Sequence, residues 1–307
     1  MTAMKAVRDL IYTKALQFLP RRYKQRLLID MARDLEVSKI RIRGEYGEVS
    51  GLIDDAAIFR SYILKGLWSK NINDIFIAFF SKTQSGTYLD IGANIGLTTI
   101  AIAQNPNIEC HAFEPEPVNF ELLSENVKHN IAGQNVTLHN LAVFSEPMQL
   151  TFELAQDNYA DHRVRYGKPK ESSLHFREGE RKTIAVPGDK LTNLVRGSEL
   201  KRPLAAKIDT EGCEYHVYKG GREILREAEL MVLEYWPYAV KRMEGDLDEL
   251  ISMLQEDFPY GALLRDNQRF NPAQLVEFSD LVENLQSSSQ QADEMGWIDI
   301  VLTKRQV

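Results

Sequence analysis

Hydrophobic residues recur at helical spacing in the first part of the chain. Between Leu52 and Phe80 the apolar positions follow one another three or four residues apart, and Gly66 and Asn71 interrupt the pattern. Such a period is typical of amphipathic helices. We therefore expect residues 1–80 to form an N-terminal helical region that packs on the rest of the protein.

From Thr87 onward, short apolar runs alternate with helical segments such as Gly96–Gln104 and Val118–Asn130. The alternation of strand and helix indicates an α/β fold, with a parallel sheet covered on both faces. We expect residues 81–307 to form this domain. The predicted strands are Thr87–Ile91, Glu109–Phe113, Val136–Leu141, Leu204–Ile208, Leu230–Leu233 and Trp297–Leu302.

A polar insertion separates the third predicted strand from the fourth. Within residues 149–187, apolar and polar side chains alternate at Thr151–Leu154 and again at Lys182–Val186. A period of two is the pattern of β-strands, so the insertion is predicted to be rich in β-structure.

Composition is that of an ordinary folded protein. The 307 residues are 44% hydrophobic and 26% charged, and the formal net charge is −7. These values exclude a mostly disordered chain, and the negative charge argues against a nucleic-acid partner. Cys110 and Cys213 are too few for a disulfide framework or a structural zinc site, which favours a reduced, cytoplasmic protein.

The N-terminal segment between Ala6 and Leu35 mixes apolar and basic residues. It has no run of about 18 apolar residues, so we expect no integral membrane segment, and its sequence does not match a secretory signal. A basic amphipathic stretch can lie on a membrane surface. Packing on the domain is the favoured interpretation, because Asp30, Asp34 and Glu36 add acidic charge.

The first chemical signal is the segment LDIGANIG at residues 89–96, which ends a strand and opens a helix. Gly92 and Gly96 allow a tight turn, and the amides that open the helix favour an anionic group such as a carboxylate. Their spacing differs from the G-x-G-x-x-G of dinucleotide-binding proteins. Asp90 would suit an ammonium or sulfonium cation and repel a pyrophosphate. Glu114 ends the next strand, where an acid can accept both ribose hydroxyls of an adenosine-containing cofactor.

Four segments, LDIGANIG, HAFEPEPVNF, KIDTEG and VLEYWP, resemble the FkbM family of S-adenosylmethionine-dependent methyltransferases, which mostly methylate hydroxyl oxygens. The resemblance covers about Gly44–Trp236. It implies a Rossmann-like seven-stranded methyltransferase sheet, mostly parallel with one antiparallel edge strand. It also implies which residues bind S-adenosylmethionine: Asp90, Gly92, Ala93, Asn94 and Gly96 at the methionine end, Glu114 at the ribose, and Asn140, Ala142 and Val143 at the adenine.

Catalytic groups should lie at the carboxyl ends of the central strands. Asp209 and Glu211 follow the fourth predicted strand and Glu234 ends the fifth, so the carboxylates of Asp209 and Glu234 are expected to converge. Such a cluster can act as a general base or hold Mg²⁺. We favour the base, with no metal, because the sequence locates few oxygen ligands. His162 in the insertion is a second candidate base.

The predicted function is O-methylation of a small-molecule hydroxyl, for example on a sugar or a polyketide natural product. Two alternatives remain: an NAD-dependent oxidoreductase on a similar sheet, and an inactive methyltransferase fold that serves as a binding module. The first is disfavoured by Asp90 and by the glycine spacing. The second is disfavoured because Asp90, Glu114 and Asp209 are all present. The acceptor and a homo-oligomeric state are left open.

Overall fold

The computed structural model describes residues 20–155, 158–166, 180–264, 269–291 and 296–306. Its helices are α1 (Arg21–Asp34), α2 (Ile58–Lys65), α3 (Lys70–Phe80), α4 (Leu97–Ala103), α5 (Pro117–Asn130), α6 (Leu191–Leu194), α7 (Glu214–Leu225), α8 (Pro237–Arg242), α9 (Leu247–Asp257) and α10 (Ser279–Gln291). Its strands are β1 (Lys39–Gly44), β2 (Gly47–Leu52), β3 (Gly86–Ile91), β4 (Ile108–Phe113), β5 (Val136–His139), β6 (Ala142–Val143), β7 (Met148–Leu154), β8 (Arg163–Arg165), β9 (Lys182–Asp189), β10 (Leu204–Ile208), β11 (Leu230–Tyr235), β12 (Tyr260–Leu264), β13 (Val276–Glu277) and β14 (Ile298–Thr303).

The main sheet has the order β13-β12-β14-β11-β10-β3-β4-β5 in the described part of the chain. The run from β11 to β5 is parallel, and all six strands expected from the sequence belong to this sheet. The α/β prediction is confirmed. The parallel order brings the carboxyl ends of β4, β3, β10 and β11 to one edge, where ligands of such sheets bind.

Two details of the expected sheet are wrong. It has eight strands among the described residues instead of seven, because the two-residue β13 pairs with β12. Among the described strands, two run antiparallel to the others instead of one: the short β13 is at the edge, and β14 lies inside the sheet between β11 and β12. Ile300, Val301 and Leu302 are fully buried, which fits an apolar run covered on both sides.

The N-terminal region contains a hairpin, β1–β2, that the sequence analysis did not anticipate. Its signal is the alternation of Ile40 and Ile42 with basic residues, which is shorter and weaker than the helical period that follows. The helices α2 and α3 confirm the pattern between Leu52 and Phe80. Gly66 ends α2 in the left-handed conformation, with φ of 76°.

The insertion forms a second sheet with the order β6-β9-β7-β8. Both predicted alternating segments are strands, β7 and β9, and they pair antiparallel with Phe152 opposite Ile184. Leu150, Phe152 and Val186 are buried in the same cluster as the main sheet, so the insertion is fixed on the domain. None of the helices in the described ranges combines the length and the hydropathy that crossing a bilayer would take.

Candidate active site

A cavity of about 1240 Å³ opens at the carboxyl ends of the central strands. The loop after β3, the ends of β4, β10 and β11, the insertion and the α2–α3 connection all contribute to its wall. Sites for one small ligand usually measure roughly 300–1,000 Å³, so this cavity has room for a cofactor and a second molecule.

The glycine loop forms one side of the cavity through Gly92, Ala93 and Asn94. The amides of Gly92 and Ala93 donate to the carbonyl of Phe113 at 3.1 and 3.0 Å, which ties the loop to β4. Gly92 has φ of 86°, and a Cβ there would overlap the carbonyl oxygen of Asp209. Glycine is therefore required at this position by the packing of β3 against β10, and a substitution would disturb the fold before it reached a ligand.

Gly96 lies behind this wall and caps α4. Its φ is 90°, and a Cβ would come within 2.6 Å of Leu123 Cδ1 in α5. Asn94 also has a left-handed φ, of 50°, and its side-chain amide donates to the carbonyl of Tyr159 at 3.3 Å. The loop is thereby linked to the insertion.

Glu114 lines the cavity at the end of β4 and is buried. Its two carboxylate oxygens accept backbone N–H groups, Oε2 from Asn94 at 2.8 Å and Oε1 from Glu116 at 2.9 Å. Burial raises the pKa of Glu114 to about 8, against the lowering effect of these two hydrogen bonds. Each carboxylate oxygen has a second lone pair, so the group can still accept hydroxyls from a ligand.

Of the three residues expected on the adenine side, two line the cavity and one supports its wall. Ala142 and Val143 line the cavity. Asn140 is exposed, and its side-chain amide donates to the carbonyl of Glu114 at 2.9 Å, so it holds the end of β4.

Lys207 is a buried cation that the sequence analysis did not assign to the site. Its Nζ lies 3.1 Å from Asp209 Oδ2 and 3.7 Å from Asp90 Oδ1, and it donates to the carbonyl of Gly92 at 3.2 Å. Burial lowers the pKa of Lys207, but the charges of Asp209 and Asp90 outweigh it, so the pKa is raised and the ammonium is retained.

Asp90 lies beneath the cavity wall and is fully buried. Its Oδ2 accepts a hydrogen bond from Thr99 Oγ1 at 2.6 Å. Burial raises the pKa of Asp90, while the nearby Lys207 charge and the Thr99 hydrogen bond lower it. The side chain joins β3, α4 and β10 from below the ligand space.

Three carboxylates converge at the other side of the cavity. Asp209, Glu211 and Glu234 each place one oxygen within 4.8 Å of the other two. Burial raises the pKa values of Glu211 and Glu234 well above the usual range, and nearby carboxylates add to the effect. Close like charges cannot all ionise without a proton or a cation between them, so this group can exchange protons or hold a divalent cation.

His162 lines the cavity from the insertion. Its Nδ1 accepts the backbone N–H of Ala155 at 3.0 Å, and its ring stacks on Tyr159. Burial, together with the charge of Arg181, lowers the pKa of His162 to about 4. The ring is therefore neutral at pH 7 and carries its proton on Nε2.

Part of the wall comes from regions that the sequence analysis did not connect with the site. Lys65, Trp68 and Lys70, in and between α2 and α3, line the cavity opposite the sheet. Trp236 and Trp297 also line it, with their rings edge to face at 6.2 Å between centroids. No local pattern marked the α2–α3 residues, because their apolar spacing is equally that of a packed helix.

Comparison with known proteins decides the family. The model of the Methyltransferase FkbM domain matches residues 90–260, more than half of the chain and the segment that contains the loop, Glu114 and the three carboxylates. The chain belongs to the FkbM methyltransferase family. Its class is therefore methyltransferase, and the resemblance seen in the sequence is confirmed.

Two curated relatives show how far the likeness extends. Hexuronic acid methyltransferase AglP of Haloferax volcanii is 27% identical over 192 residues, 61% of this chain and 72% of that protein. The 31-O-demethyl-FK506 methyltransferase FkbM of Streptomyces tacrolimicus is 47% identical over 47 residues, 15% of this chain and 18% of that protein. Among solved structures, precorrin-6Y C5,15-methyltransferase of Geobacter metallireducens aligns with a TM-score of 0.36 and 13% identity over 78% of this chain and 91% of that one.

Proposed function

We propose that this FkbM-family protein transfers the methyl group of S-adenosylmethionine to a hydroxyl of a small molecule such as a sugar or a polyketide. One observation carries the proposal: Glu114 and the carboxylates of Asp209, Glu211 and Glu234 border the same cavity. A cofactor side and an acceptor side therefore share one space. The names of two distant relatives, one a hexuronic acid methyltransferase and one a 31-O-demethyl-FK506 methyltransferase, agree with such acceptors.

On the cofactor side, Glu114 accepts the ribose hydroxyls, and Gly92, Ala93 and Asn94 form the surface for the methionine end. Ala142 forms part of the adenine wall. Asp90 acts from behind the wall in this proposal: it holds the cation of Lys207, which binds the Gly92 carbonyl and thereby fixes the loop.

On the acceptor side, the hydroxyl oxygen attacks the methyl carbon, and the electron pair of the breaking S–C bond returns to sulfur to leave S-adenosylhomocysteine. The hydroxyl proton passes to a carboxylate of the group formed by Asp209, Glu211 and Glu234. Asp209 is the best placed, because its side chain is 37% exposed and reaches the ligand space, while Lys207 orients it. His162 is the second candidate base, but its Nδ1 already accepts the N–H of Ala155 and would have to release it to take the proton.

A divalent cation is a second way in which these carboxylates could activate the hydroxyl. The set offers three oxygen donors, the chemistry that Mg²⁺ prefers, and such an ion would lower the pKa of a bound hydroxyl. We prefer the side-chain base, because Lys207 already places a positive charge 3.1 Å from Asp209.

The test combines binding with group transfer on the full chain. Calorimetry should show binding of S-adenosylmethionine and none of NAD. A labelled methyl group should then appear on an oxygen of a member of a glycoside and macrolide panel. Binding of NAD would favour the oxidoreductase instead, and binding of neither ligand would favour a binding module.

A further inference from the structure

Helix α1 and its C-terminal cap Leu35 leave part of their apolar surface uncovered. Ile29 and Ala32 are buried in a cluster with residues of β2 and α2. On the adjoining stripe, Leu27, Leu28, Met31 and Leu35 are 38%, 39%, 51% and 70% exposed. Their spacing of three and four residues puts them on one side of the helix, so they form a continuous face rather than scattered contacts.

The charge around this face is opposite to that of the whole chain. Residues 1–36, which include the whole of α1, contain eight lysines and arginines and four acidic residues, a net charge of +4, whereas the complete chain has a net charge of −7. Arg26 on α1 is exposed. A second copy of the same basic helix would be repelled, and residues 1–19 are basic as well. The charge pattern therefore favours an anionic occupant of the face.

We propose that α1 docks on an anionic lipid surface. Leu27, Leu28, Met31 and Leu35 enter the boundary between headgroups and acyl chains, and the basic residues of α1 contact the lipid phosphates and carboxylates. An amphipathic helix with a basic polar side is the element that binds membranes in this way, and anionic lipids strengthen it. The proposal does not depend on the transferred group or its acceptor.

Docking through α1 would place the cavity close to the lipid. Helix α1 packs on α2. Ile58, Ser61 and Lys65 of α2 line the cavity. Packed helices lie about 8–10 Å apart, so only one layer of helix separates the docking face from the ligand space.

The experiment measures co-sedimentation of the full chain with two kinds of vesicle, phosphatidylcholine alone and phosphatidylcholine mixed with phosphatidylserine. The protein should sediment with the mixed vesicles and much less with the neutral ones. No sedimentation with either, or equal sedimentation with both, would overturn the proposal.

Two sets of variants test the face and the charge separately. The triple change Leu27→Gln, Met31→Gln and Leu35→Gln should lower binding to the mixed vesicles by roughly tenfold or more. Its control is Ile77→Gln, Val118→Gln and Met148→Gln, which replaces three exposed apolar residues on other elements and should bind normally.

The double change Lys24→Gln and Arg26→Gln should weaken binding roughly thirtyfold, since each basic residue near an anionic surface contributes about 1 kcal/mol. Its control is Arg43→Gln with Arg196→Gln, two arginines whose side chains are about 80% exposed on other surfaces. Equal losses in test and control variants, with thermal unfolding unchanged, would refute the assignment to α1. A concentration-dependent dimer that the triple variant abolishes, without vesicle binding, would mean that a second copy covers the face.

Discussion

The ammonium of Lys207 lies 3.1 Å from a carboxylate oxygen of Asp209, at the point where the proposed cofactor and acceptor sides meet. The two residues are separated by one position at the end of β10, so their side chains leave the sheet on the same face. The same ammonium lies 3.7 Å from Asp90 on the neighbouring strand β3. The buried ammonium of Lys207 therefore pairs with two carboxylates: Asp90, which is structural, and Asp209, which reaches the ligand space.

Replacing this cation should destabilise the protein. We expect Lys207→Met to lower the free energy of unfolding by about 3 kcal/mol, because removal of one member of a buried ion pair leaves the other charge uncompensated. Denaturant unfolding measures the change. The control is Lys201→Met, whose ion pair with Glu109 is at the surface and should cost at most about 1 kcal/mol. Addition of Asp90→Asn to Lys207→Met should recover part of the loss; no recovery would argue against this pairing.

Glu114→Gln should weaken binding of S-adenosylmethionine by about 1–3 kcal/mol, because an amide offers one acceptor oxygen in place of two to the ribose and to the two backbone N–H groups that Glu114 accepts. Calorimetry gives the affinity. Glu121→Gln, at an exposed position on α5, is the matched control and should bind normally. A loss confined to turnover, with cofactor affinity intact, would mean that Glu114 does not hold the ribose.

The pKa of Glu114 predicts how stability depends on pH. Its folded-state pKa is about 8 and its ordinary value is 4.5, so the folded protein binds this proton more tightly than the unfolded chain does. Its contribution to stability is complete below pH 4.5 and is lost as the pH rises through 8. Between these values the free energy of unfolding should fall by up to about 1.4 kcal/mol per pH unit relative to Glu114→Gln.

Denaturant unfolding at pH 5, 6, 7 and 8 measures this difference in slope. The variant also loses a backbone hydrogen bond, so the comparison concerns the pH dependence and not the absolute stability. For the control Glu121→Gln, the free energy of unfolding should change with pH in the same way as for the unaltered protein. Parallel curves for Glu114→Gln would show that Glu114 is ionised throughout.

Asp209→Asn should lower turnover by about 10²-fold or more and change cofactor affinity little, because a general base acts in the reacting complex. Single-turnover methyl transfer and calorimetry separate the two effects. Asp248→Asn, an exposed acid on α9, is the control. Near-normal turnover would mean that the carboxylate group is structural and would move the search for a base to His162.

Chelation distinguishes the two ways of activating the hydroxyl. With a side-chain base, EDTA should leave methyl transfer unchanged. Activity that is lost with EDTA and returns with Mg²⁺ would assign Asp209, Glu211 and Glu234 to a metal site instead.

The sequence by itself determined the main elements of the fold. Two local signals carried this information: the apolar runs of the six predicted strands, and the glycines at positions 92 and 96. In both, the type of each residue follows from the backbone conformation and the burial at its own position. The same holds for Glu114, whose place at the end of a strand follows from the run before it. Even the convergence of Asp209 and Glu234 follows from their positions at the ends of consecutive parallel strands.

Only the tertiary structure decided which distant segments meet. Lys207 stands opposite Asp90 because β10 pairs with β3, more than 110 positions earlier, and periodicity along the chain carries no record of that pairing. For the same reason Trp68 was not recognisable as part of a cavity wall. The internal position of β14 also depends on β12 closing against it. Local spacing specifies strands and helices, whereas contacts between them arise from packing of the whole chain, and much of the candidate site depends on those contacts.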